Sequence, residues 1–147
     1  MRALTCLTLT LALCLLLSGC TGLHSKNQLL ELQQQADSAY AKGDYQQSSK
    51  LYQQLSKSMP TDAGVRYQLG NSQARAGDNA AAINSYRESL LRDPYNARSW
   101  HNLLQVQLRE ATLSAAEMQR YIKPQAPYAE QALQRAEQLL HVFPQEQ

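Results

Sequence analysis

Through most of the chain, small and apolar residues return every three or four positions, the spacing that keeps one face of a helix dry. Val65, Leu69, Ser72 and Ala76 line one such face, and Ala82, Ile83, Tyr86 and Leu90 line the next. Gly77-Asp78 separates the two runs. Glycine suits the left-handed position that closes a helix, and aspartate can cap the helix that follows. Gly43-Asp44 repeats this punctuation upstream. Pro60 and Pro94 each end a second helix, because proline cannot continue a helix and pushes the preceding residue out of helical geometry. The pattern predicts an all-α chain built from helical hairpins.

The hairpins recur with a fixed period. Gly43-Asp44 returns as Gly77-Asp78, Tyr52 as Tyr86, Pro60 as Pro94, Ala63 as Ala97 and Leu69 as Leu103, each 34 residues on. Units are expected at about 29–62 and 63–96, with an irregular third at 97–144. In that third unit no Gly-Asp turn appears near Ala111-Thr112, and Arg109 to Tyr121 continues in good helix formers. A break follows at Lys123-Pro124-Gln125-Ala126-Pro127, then a last helix from Tyr128 to Val142. Its Ala132, Leu139, Leu140 and Pro144 stand 50 residues beyond their counterparts instead of 34. The third hairpin is therefore lengthened by about four helical turns. Its final helix is expected to cap the apolar end of the stack.

The stretch from Tyr67 to Pro94, with Leu69, Gly70, Gly77, Ala82, Tyr86 and Pro94 in place, resembles a near-complete tetratricopeptide repeat. Residues 29 to 62 are a weaker copy, with Ala36, Gly43, Ser48, Tyr52 and Pro60 in register, and Trp100 and Leu103 begin a third. The resemblance implies a short α-solenoid of the tetratricopeptide type with an extended, capping C-terminal hairpin. Small Gly70 and Ala82 would let paired helices approach, Tyr86 would fill the space between hairpins, and Trp100 is read as a packing residue. First helices of such units line an inner groove. The candidate partner-binding residues are then Asp37 and Tyr40, next Tyr67, Asn71 and Arg75, and last Arg98, His101, Gln105 and Arg109. Tyrosine anchors beside arginine and amide donors suit a protein or peptide ligand. Asn71 and Asn102 resemble two members of the carboxylate clamp of chaperone-binding relatives, but its lysines are missing, with Tyr67 at one of their places. Framework asparagine is the preferred reading there.

The N-terminus carries different information. Arg2, the apolar stretch Ala3 to Leu17, and then Leu17-Ser18-Gly19-Cys20 form a secretory signal too short to serve as a spanning helix. The ending resembles the bacterial lipobox, which implies a signal peptide at 1–19, a lipid-modified Cys20 and a polar tether at 20–27 ahead of a repeat domain at 28–147. A conventional signal cut near a cysteine is the alternative. Acyl chains on Cys20 would hold the chain to a membrane, since two chains anchor stably where one does not. In a Gram-negative cell, the lack of Asp at position 21 implies the outer membrane, facing the periplasm.

Composition narrows the chemistry. Cys6 and Cys14 leave with the signal, so Cys20 alone remains and no disulfide or cysteine metal site is expected. Fourteen basic and twelve acidic residues are interspersed, which argues against a nucleic-acid partner. His24, His101 and His141 lie far apart, and Lys42-Gly43-Asp44 lacks the rest of a phosphate loop. No catalytic residues, metal site or cofactor are expected. The chain reads as a non-enzymatic envelope scaffold or adaptor. The lipidated-repeat class points to pilus, secretin or other outer-membrane assemblies, and the alternative is an accessory subunit regulating a peptidoglycan or polysaccharide enzyme.

Overall fold

The computed structural model describes residues 21–121 and 127–142, which form six α-helices and, among these residues, no strand. They are α1 (Thr21–Ala41), α2 (Tyr45–Ser58), α3 (Ala63–Arg75), α4 (Asn79–Arg92), α5 (Ala97–Tyr121) and α6 (Pro127–Val142). The signal peptide, Cys20, the Lys123–Ala126 part of the break and Pro144 lie outside the described residues.

The turn chemistry works as the residue types require. Gly43 and Gly77 take φ of 80° and 85°, the left-handed region that only glycine enters cheaply. Asp44 then accepts from the Gln47 amide at 3.0 Å, and Asp78 from the Ala81 amide at 3.1 Å, capping α2 and α4. The other two junctions have caps of their own. Asp62 accepts from the Val65 amide at 2.9 Å and Asn96 from the Ser99 amide at 3.0 Å, two residues past Pro60 and Pro94. The period therefore sets the inner turn and the closing junction of the first two units.

Each helix packs on the next, and α3 also touches α5. One apolar cluster gathers Ala36, Tyr52, Leu55, Val65 and Leu69 from α1, α2 and α3. A second gathers Ala82, Tyr86, Leu90, Leu103 and Val106 from α4 and α5, with Tyr67 and Ala74 of α3 against it. Each cluster thus joins a hairpin to a neighbouring helix. Burying each leucine contributes about 1.5–3 kcal/mol. Gly70 allows the close approach that the resemblance implied: a Cβ there would lie 2.7 Å from the Tyr86 ring.

Serines form a polar part of this interior. Ser48 donates to the Ala36 carbonyl and meets Ser72 at 2.8 Å, while Ser89 donates to the Ala63 carbonyl and meets Ser99 at 3.0 Å. All four are buried. Their hydroxyls satisfy one another and the backbone, so small polar side chains bring neighbouring helices together without leaving a buried polar group unpaired.

α1 begins at Thr21, so the backbone of residues 21–27, expected as a polar tether, is continuous with the first helix. Two expectations change. Trp100 is 49% exposed and its indole donates to the Pro94 carbonyl at 3.0 Å, so it braces a loop instead of filling the space between hairpins. Ala132 faces solvent, and Ala129 is the buried alanine of α6. The lengthened third hairpin itself is present: α5 runs 25 residues and α6 packs on it.

Candidate binding groove

The first helices of the units, α1, α3 and α5, share one side of the stack. On it lies a cavity of about 260 Å³ bordered by Tyr40, Asn71, Arg75, Gln105 and Arg109, with Ala74, Tyr86, Asn102 and Val106 completing the lining. Five predicted groove residues therefore converge. Tyr67 and Arg98 form an adjoining pair, with the guanidinium 5.3 Å from the ring centroid. His101 is exposed and does not line the cavity. The Asp37 carboxylate is bonded by the Tyr52 hydroxyl and does not line the cavity either.

The floor is an amide network. Asn71 Oδ1 accepts from Asn102 Nδ2 at 2.8 Å and from the Tyr86 hydroxyl at 2.9 Å, while Asn71 Nδ2 donates to Gln68 Oε1 at 2.9 Å. Asn102 Nδ2 also reaches the Tyr67 hydroxyl at 3.4 Å. Both asparagines are thus engaged within the fold, which is the framework arrangement and not a free clamp. Burial drives the Tyr86 hydroxyl well above its ordinary pKa, with smaller influences from Asn102, which lowers it, and Tyr67, which raises it.

The walls carry charge. Arg75 lies 5.5 Å over the Tyr45 ring, and Tyr45 meets Tyr40 edge-on at 5.2 Å. A hydrogen bond with Tyr40, followed by charge interactions with Tyr45 and Tyr40, holds the Arg75 pKa above its usual value. Arg75, Arg98 and Arg109 are all exposed, and among the described residues none of them pairs with a carboxylate. Stacking fixes two guanidinium planes while leaving donors for a ligand. Tyr45 was not foreseen as part of this wall. Its signal was its place two residues past Gly43, across the turn from Tyr40.

Such a surface can hold carbonyl and carboxylate groups by charge-assisted hydrogen bonds while tyrosine rings cover apolar parts of a ligand. Among the described residues no three His, Cys, Asp or Glu side chains gather as a metal site, and no helix is long and apolar enough to cross a membrane.

Known proteins share this architecture. The first repeat domain of Spaghetti (RPAP3), bound to the HSP90 peptide SRMEEVD, superposes with a TM-score of 0.54 at 13% identity, covering 78% of this chain and 97% of that one. The Yersinia enterocolitica type III secretion translocator chaperone SycD superposes with a TM-score of 0.56 at 20% identity, covering 79% and 91%. In sequence, the cellulose synthase operon protein C of Xanthomonas axonopodis pv. citri (strain 306) is 39% identical over 83 residues, 56% of this chain but 5% of that protein. The chain therefore matches a small fraction of that relative's length. The tetratricopeptide repeat profile matches residues 34–97 and again 67–130. Its helical hairpins, glycine turns and tyrosine-filled interiors are accounted for together: the chain belongs to the tetratricopeptide repeat family.

Proposed function

We propose that this chain is a non-enzymatic adaptor of a bacterial cell envelope, lipidated at Cys20, which holds an extended segment of a partner protein against α1, α3 and α5. The observation that carries this reading is the wall of three arginines that have no carboxylate partner among the described residues, two of them held over tyrosine rings. Open donors on a concave face are matched by a ligand rich in carbonyl and carboxylate acceptors. The lipobox-like Leu17-Ser18-Gly19-Cys20 supports an anchored protein, in an outer membrane facing the periplasm if the cell is Gram-negative. Such an adaptor would localise or stabilise a pilus, secretin or other outer-membrane assembly.

A second reading is favoured by the likeness to a cellulose synthase operon protein. In it, the same groove holds a subunit of a polysaccharide enzyme, and this chain regulates or positions that enzyme. Affinity capture from native membranes tests both, comparing the intact protein with Arg75→Glu/Arg98→Glu and with Cys20→Ala. Assembly components lost from the arginine variant support the first reading. A polysaccharide or peptidoglycan enzyme lost in the same way supports the second. Recovery unchanged by the arginine variant would move the interface off the groove, and soluble Cys20→Ala protein is expected only if Cys20 is the anchor.

A further inference from the structure

Two corners at one end of the stack differ in a way that the repeat does not require. Helices joined by turns of three or four residues run antiparallel, so the α2–α3 and α4–α5 junctions lie at the same end. Arg92 ties them together, donating from Nε to the Pro60 carbonyl at 2.6 Å. The early part of α1 belongs to this end too, since Leu29 and Met59 pack against the same cluster. At the α4–α5 corner Leu91 is 76%, Tyr95 94% and Trp100 49% exposed. The positions 34 residues earlier hold Lys57, Thr61 and Arg66. The first unit thus closes the same corner with polar side chains, and packing does not account for the apolar three.

We infer that this end rests on a membrane surface, with Leu91, Tyr95 and Trp100 entering the headgroup boundary and Lys26 and Lys57 facing anionic headgroups. The inference rests on the reading of Cys20 as lipidated, and adds how the anchored domain stands. Cys20 directly precedes Thr21, the first residue of α1, so an acyl anchor would enter the bilayer at the end that carries the exposed rings. Tyrosine and tryptophan, each with an apolar body and a polar tip, favour that boundary. The Trp100 indole already donates to the Pro94 carbonyl, so its ring can leave water without losing a bond. Lys26 and Lys57 are exposed, and among the described residues neither pairs with a carboxylate. The carboxylates at the two corners are engaged elsewhere: Asp62 accepts from the Val65 amide, Asp93 from the Tyr95 amide and Glu88 from Arg92. Unpaired lysines suit an anionic leaflet. α1 outruns α2 by seven residues, about 10 Å, so the stack would lean for its far corner to touch. That far corner is the apolar one, while the nearer α2–α3 corner carries Lys57, whose attraction acts across water.

Trp100 is the single tryptophan of the chain, so its emission reports this corner alone. The full chain, purified from membranes, is reconstituted in vesicles of phosphatidylethanolamine and phosphatidylglycerol, with or without bromine on the acyl chains. It is compared with Leu91→Ser/Tyr95→Thr, Lys57→Glu and Cys20→Ala. Brominated lipid should lower Trp100 emission about twofold in the parent. Leu91→Ser/Tyr95→Thr should float with the vesicles, keep its helical circular dichroism and lose most of that quenching. Lys57→Glu should lose part of it at low salt. Cys20→Ala should not float, because the corner alone is one weak signal. A parent that floats with Trp100 unquenched overturns the inference and leaves the anchor standing, as does quenching equal in the parent and Leu91→Ser/Tyr95→Thr. Trp100 shielded from aqueous acrylamide yet untouched by bromine would put protein on the corner in place of lipid, and overturns it as well. A parent that fails to float overturns the anchor and this inference with it.

Discussion

Replacing Gly70 by alanine puts a methyl carbon 2.7 Å from two atoms of the Tyr86 ring, a distance at which something must move. Neither side can yield freely. Tyr86 is 1% exposed and its hydroxyl is bonded to Asn71, while α3 is packed between α2 and α4 and also touches α5. The first hairpin already pairs Ala36 with Tyr52 at the equivalent positions. There the helix carrying the alanine packs chiefly on α2 and can stand further off. Overpacking of this kind costs about 1–3 kcal/mol. Alanine also improves helix propensity over glycine by about 1 kcal/mol. The net expectation for Gly70→Ala is a loss of about 1 kcal/mol, measured by urea unfolding followed by circular dichroism. In a Tyr86→Leu background the collision is relieved, and the same substitution should then stabilise. The two changes should therefore be coupled by about 1–2 kcal/mol in a double-mutant cycle. Additive effects, or a Gly70→Ala protein more stable than the parent, would refute close glycine–tyrosine packing as the device joining α3 to α4.

Asp78→Ala removes the α4 cap and should cost about 1 kcal/mol, and Gly77→Ala should cost a similar amount because its φ is 85°; both are read by the same unfolding assay. Tyr52 and Tyr86 have raised pKa values, first through burial, so they stay protonated in the folded state while unfolded tyrosine ionises near 10. The unfolded state then binds fewer protons, and stability should hold below pH 10 and fall as pH rises above it. Tyr86→Phe should weaken that alkaline dependence in pH-resolved melting, and an unchanged dependence would contradict the assignment. For the groove, Arg75→Glu or Arg98→Glu should weaken the captured partner about tenfold or more, as expected from loss of a bond to a charged group worth about 1.5–3 kcal/mol. Titration calorimetry at two salt concentrations checks this.

Hairpin limits were legible because they depend on single residues with local consequences. Gly43, Gly77, Pro60 and Pro94 act through φ and the missing amide, whatever surrounds them. Groove residues were legible where the period holds, and Asn71 and Arg75 border the cavity as their register requires. In the third unit register is a partial guide: Gln105 and Arg109 border the cavity as expected, whereas Trp100 is half exposed and His101 does not line it. Helical spacing also names a face without naming a partner. Stacking of Tyr45 under Arg75, the Asn71–Asn102 bond and the Ser48–Ser72 contact all depend on how neighbouring helices meet. The clip from Asn79 to Glu110 at 2.7 Å joins residues on different units and left no mark in the spacing at all.

The central claim is that the partner lies on the concave, arginine-bearing side. Its most direct test places a photo-crosslinking amino acid at Gln105, exposed at the cavity, or at Asn84, exposed on α4 and outside the cavity lining, and irradiates living cells. The account predicts a discrete adduct from position 105 that fades in the Arg75→Glu/Arg98→Glu background, and none from position 84. An adduct from position 84 with none from position 105 would contradict it.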